Sequence, residues 1–122
     1  MAVTQSRDNR SIVAGADLTA KQFKFVKLDA AAKAVVAGDG EASFGVLLVP
    51  ALSGNAATVT VSGKTMVECG GTIAVAASVA VDADGNAVTA AQNDVIVGTA
   101  YEAGVDGQII AIEISLAGNI AA

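Results

Sequence analysis

Residues 23–63 and 76–116 read as two ungapped copies of one unit, which restricts the chain to folds that draw the same backbone path twice. At an offset of 53, which carries residue 23 to residue 76, Val26 falls on Val79, Asp29 on Asp82, Ala34 on Ala87, Gly45 on Gly98 and Gly54 on Gly107. Apolar character is kept where identity is not, as in Leu28 with Val81, Phe44 with Val97, Leu52 with Val105, Val59 with Ile112 and Val61 with Ile114. Recurrent glycines mark special turns, and alternating Val and Ile mark one face of a strand.

The duplication bears on a local ambiguity. Residues 28–36 (LDAAAKAVV) taken alone have the propensity for a turn or two of helix. Their counterpart, residues 81–89 (VDADGNAVT), carries Asp-Gly-Asn, which supplies the left-handed and turn conformations that close a hairpin. If the copies share a fold, both stretches are hairpins; that reading is taken here, with helix as the alternative. Strands are then expected at residues 23–27, 34–37, 44–49 and 57–62. A connecting strand and turn follow at 66–73, and the second copy repeats the plan at 75–81, 87–90, 95–100 and 109–116. Many short strands at near-regular spacing predict an all-β fold, a small β-barrel or β-sandwich built from two pseudo-symmetric repeats. Residues 1–22 lie outside both copies as an extended N-terminal arm, and residues 23–122 form a single β domain.

A chain of 122 residues is long enough for one domain, but its apolar fraction of 53% is largely Ala, with three Phe, one Tyr and no Trp. Burying a Val, Leu, Ile or Phe side chain is worth about 1.5–3 kcal/mol and Ala far less. Such a thin core predicts added stability from other subunits or a large partner. Residues 1–15 are polar around Arg7, Asp8, Asn9 and Arg10, without the apolar run of a secretory signal. The uncharged stretch 42–63 contains Pro50, Gly45, Gly54 and Asn55 and alternates at 58–62, a β pattern and not a membrane helix.

Every Lys and Arg falls within the first 64 residues, seven against five carboxylates, whereas the remainder carries seven acids and no base, for a net charge of −5. That polarity suits orientation on a charged surface. Nucleic acid is not an expected partner, because no basic cluster or set of stacking aromatics is present. The absence of histidine removes the commonest general base and most zinc sites, and Cys69, the single cysteine, reads as a small buried apolar residue. Asp82, Asp84 and Asn86 alternate as in a calcium loop, yet Ala87 and Asn93 stand where that loop needs Gly and Glu, so a turn is the better reading. Neither an enzyme, a metal site nor a cofactor is expected.

The run Gly45-Val46-Leu47-Leu48, the alternating strand at 57–62, the segments 79–87 and 97–102, and the closing 107–114 together resemble the small capsid cement, or head decoration, proteins of tailed bacteriophages. The likeness covers roughly residues 20–117. It implies a non-enzymatic virion protein, made in the host cytoplasm, that binds the outside of the expanded major capsid protein shell as a homotrimer and strengthens it. On that reading the arm touches the shell, with Arg7, Arg10, Ile12 and Val13 as candidate capsid-binding residues, and deleting residues 2–15 leaves the β domain folded. Val59, Val61, Ile112 and Ile114 are candidates for trimer contacts, with core packing as the equal alternative. A bacterial surface or adhesion module is the alternative function; a glycan-binding domain would want more exposed aromatics than Tyr101 and three Phe.

Overall fold

The computed structural model describes residues 5–116 and 119–121, with side chains from residue 8 onward. The fold is all-β, and no helix occurs among the described residues. Among the described residues nine strands run β1 (Gln5–Val13), β2 (Phe25–Leu28), β3 (Ala34–Val36), β4 (Gly45–Val49), β5 (Ala56–Glu68), β6 (Ser78–Val81), β7 (Ala87–Thr89), β8 (Gly98–Ala100) and β9 (Ile109–Ile114). They form a curled antiparallel sheet in the order β3-β2-β4-β5-β9-β8-β6-β7, with β1 paired to β5.

The ladders repeat at the offset read from the sequence. Val26↔Val36 recurs as Val79↔Thr89, Val26↔Gly45 as Val79↔Gly98, and Leu47↔Val59 as Ala100↔Ile112. Left-handed backbone recurs too: φ is +66° and +65° at Phe23 and Ala76, +59° and +81° at Ala32 and Gly85, +66° and +72° at Gly40 and Asn93, and +87° and +84° at Gly54 and Gly107. Only one of those pairs is Gly in both copies. The stretch at 28–36 is a hairpin, and its aspartate explains why propensity loses. Asp29 Oδ1 accepts the N–H groups of Ala31 (2.9 Å) and Lys33 (3.0 Å), as Asp82 Oδ1 accepts those of Asp84 (2.8 Å) and Asn86 (2.9 Å). Each carboxylate holds its turn closed, a competition with helix that Asp wins locally.

The repeating unit is longer than the sequence identities show. β5 is continuous through Gly63, where φ is +96°. Its first half pairs with β1 and β4, while its second half pairs with β9 as β1 pairs with β5: Val13↔Ala56 matches Glu68↔Ile109, and Ile12↔Ala57 matches Val67↔Ile110. Residues 5–13 are therefore extended but built into the sheet, as the first strand of the first copy. Each copy closes on itself through one parallel bridge, Ala14↔Ala34 in the first and Cys69↔Ala87 in the second, giving it a barrel-like curl.

Two cores follow. The first copy buries Ala14, Leu18, Val26, Leu47, Ala57 and Val59, and the second buries Cys69, Ile73, Val79, Ala100, Ile110 and Ile112 at the matching places. Leu47 with Ala57 becomes Ala100 with Ile110, a large-small exchange that conserves volume across neighbouring strands. Thr65 is fully buried in β5 and its Oγ1 has no hydrogen-bond partner. An unpaired buried hydroxyl costs about 1–3 kcal/mol. Thr65→Val is thus expected to stabilise the chain by about 1 kcal/mol, seen as a higher urea midpoint at unchanged slope; a lower midpoint would show that the hydroxyl is satisfied in solution.

Candidate functional site

The sequence candidates lie along β1 and do not converge. Arg7 falls outside the residues whose side chains are described. Ile12 packs against the first core, where Ala57 faces it across the ladder. Arg10 is exposed and its guanidinium pairs with the exposed carboxylate of Asp8, so part of its charge is already answered. Val13, at the end of the strand, is 41% exposed. Because β1 supplies Ile12 and neighbouring Ala14 to the core, deleting residues 2–15 removes a structural strand, contrary to the expectation that the β domain stays folded without them. The four residues weighed as trimer contacts belong to the interior: Val59 and Ile112 are fully buried, Ile114 nearly so, and Val61 packs on the first core.

A surface that sequence reasoning missed is the contact between the two copies. They meet head to tail, so that one face of the first copy seats on a different face of the second. Phe25 N–H donates to the Gly85 carbonyl (2.8 Å), Gly40 N–H to Val81 (2.8 Å), Val95 N–H to Gly40 (3.2 Å) and Glu68 N–H to Phe23 (3.1 Å). Phe25, Ala37 and Val46 leave the first core and pack into the second. Lys24 is nearly buried at this seam, where its ammonium donates to Asn86 Oδ1 and lies 3.6 Å from Glu68. The signal available beforehand was the pair of mismatches Phe25/Ser78 and Val46/Thr99, apolar in one copy and polar in the other.

The oxygens weighed as calcium ligands have structural duties, Asp82 in its turn and Asn86 on Lys24. Among the described residues no cavity opens in the surface, and no three acidic or cysteine side chains gather. Cys69 is buried, and desolvation raises its thiol pKa, which keeps it protonated at neutral pH. Tyr101 is half-exposed; its hydroxyl donates to Glu113 Oε1 (2.6 Å), which raises the phenol pKa, while the Lys64 ammonium sits 4.7 Å from its ring centroid. Exposed Leu52 and Val105 occupy matching turns before Gly54 and Gly107.

Three carboxyl groups titrate below their ordinary range: Asp17 through the Thr19 hydroxyl and N–H, Asp29 chiefly through the Lys33 N–H, and Glu41 through the Lys27 ammonium and the Gly38 N–H. A depressed folded pKa contributes stability that is complete above the unfolded value and is lost as pH falls through the folded one. Unfolding midpoints are accordingly expected to fall once pH drops below about 4, the ordinary carboxylate range. Asp29→Asn should flatten that limb; an unchanged acid limb in this variant would remove Asp29 from the account. The raised phenol of Tyr101 works oppositely, its contribution being present at neutral pH and lost as pH rises through the folded value.

No family model and no curated protein matches the sequence. Among solved structures, the crystal structure of the head fiber gp8.5 N base in bacteriophage phi29 matches with a TM-score of 0.72, covering 92% of this chain and 97% of that chain at 17% sequence identity. An identity that low carries the fold alone, and the two chains share that fold over nearly their whole lengths.

Proposed function

We propose that the chain is a structural virion protein that binds the outside of the expanded major capsid shell and stabilises it, acting as a homotrimer without catalytic activity. The observation that carries this reading is the near-complete fold match to a bacteriophage head fiber base, which stands beside the sequence resemblance to capsid cement proteins. A ligand that bridges neighbouring capsomers only in the expanded lattice stabilises that lattice by mass action against internal pressure. The domain division offered from the sequence is modified in this proposal: residues 5–22 work as part of the β domain.

The direct test incubates the purified chain with expanded and with unexpanded heads and measures the bound fraction after sedimentation. Selective binding to expanded heads, with slower loss of heads on heating, is the expected result. Heads that take up none of the protein in either state would end the cement reading. Mass measurement in solution tests the trimer, for which a monomer at micromolar concentration and on the shell would be the contrary outcome.

A further inference from the structure

From the head-to-tail seam inside the chain we infer that the vacant counterpart of that seam, on the first copy, is the face that meets the shell, and that it takes an acidic, apolar-bearing segment of the capsid protein. This inference rests on the capsid-binding reading above. In the second copy, the receiving face consists of Glu68, Val81, Gly85, Asn86 and Val95, covered by the first copy. Their counterparts in the first copy are Val13, Leu28, Ala32, Lys33 and Ala42, with Val13 equated to Glu68 by the β1 and β5 ladders. Val81 is fully buried, whereas Leu28 is 39% exposed and Val13 41%. An apolar position that is buried in the seam between copies and bare at the free end marks a contact surface without its partner.

The polarity of this face is inverted. Glu68 and Asn86 receive the Lys24 ammonium in the second copy. In the first copy those places hold Val13, which has no charge, and Lys33, which is exposed. A cation in the position of Lys24 is repelled there, and a carboxylate is matched. Pairing two vacant faces about a two-fold axis puts a Lys33 on each side of the contact, and none of the five positions on either face supplies a carboxylate to answer it.

Nor does the outer face of another molecule's second copy fit. In place of Phe25, Val36 and Val46 it presents Ser78, Thr89 and Thr99, all exposed and polar. Part of it is also occupied by residues 119–121 of the same chain. Asn93 N–H donates to the Ala121 carbonyl (2.9 Å) just as Gly40 N–H donates to Val81, and Ile120 bridges Val95. A polar end that its own chain partly occupies is what stops a head-to-tail stack from growing. One open end remains, and it points to a partner other than this chain.

The test compares binding of the wild-type chain, Leu28→Glu, Lys33→Glu and the control Val105→Glu to expanded heads, with urea midpoints confirming that each variant is folded. Leu28→Glu and Lys33→Glu are each expected to weaken binding about tenfold or more, as for a central contact, while Val105→Glu, in an exposed turn of the second copy, binds as wild type. Wild-type binding that both first-copy variants retain, or that Val105→Glu loses equally, overturns the face assignment and leaves the cement reading standing. Wild type that binds no heads overturns both. Oligomers in solution that Leu28→Glu dissociates would assign this face to a second copy of the chain and overturn the shell assignment.

Discussion

Replacing Phe25 by alanine is expected to lower the unfolding free energy by about 3–5 kcal/mol, the range for a large aromatic removed from a packed interior. Phe25 is fully buried, it belongs to the first copy by sequence, and its ring completes the core of the second. Truncation therefore opens a void in the seam where the two halves pack on each other. Against the 5–15 kcal/mol typical of a domain, that loss is a large share. Urea titration should show a lower midpoint. Amide exchange should quicken first at the groups that bridge the seam, Phe25, Gly40 and Glu68, before the β5–β9 ladder. A loss under about 1 kcal/mol, with exchange unchanged at these amides, would mean that the seam contributes little and that β5 alone holds the halves together.

Gly45→Ala and Gly98→Ala come next, each expected to cost about 1–3 kcal/mol or more because a methyl group is forced against backbone. Both glycines are buried and stand at matching places in β4 and β8. A Cβ on Gly45 would press into the Thr60 carbonyl, and one on Gly98 would lie 2.6 Å from the Glu113 carbonyl oxygen. Thr60 and Glu113 are themselves equivalent, so one close approach of strands is built twice. Gly54 and Gly107 serve differently: their φ is +87° and +84°, and open space surrounds them. Alanine there strains the backbone by about 1–2 kcal/mol without a clash. D-alanine introduced by chemical synthesis should relieve the turn pair, whose positive φ suits that configuration; D-alanine at Gly54 that destabilises as much as L-alanine would contradict a backbone-strain origin there.

The duplication was legible because the residues that define it do local work. Asp29 and Asp82 close hairpins, and the paired glycines answer a turn or a close approach, so identity at a fixed spacing was enough to predict ladders that the structure repeats residue by residue. The first strand of the unit was not legible. Its connection to the next strand is two residues longer in the first copy, since Leu18 matches Ile73 but Lys21 matches Ala74, and an ungapped comparison breaks there. β1 also shares almost no identities with the second half of β5, because an antiparallel ladder is made by backbone groups and tolerates any side chain that fits its face. Gly15 and Gly70, each packed against the aspartate of its own hairpin, are the surviving trace. The same gap placed Arg7, Arg10, Ile12 and Val13 on an extended arm outside the β domain, when in the structure they share a strand that feeds the core.

By itself the sequence determined the all-strand character, the two-fold reuse of one path and the absence of the usual histidine chemistry, because turn residues, alternation and composition act over a few neighbouring positions. Only the tertiary structure decided how the copies are joined. Which of two related surfaces is covered depends on Phe25, Lys24, Gly85 and Glu68 meeting across the chain, and contacts between residues so far apart leave no period to read. That long-range choice buries one face in the seam, partly occupies the outer face of the second copy with residues 119–121, and leaves Leu28 and Lys33 facing outward.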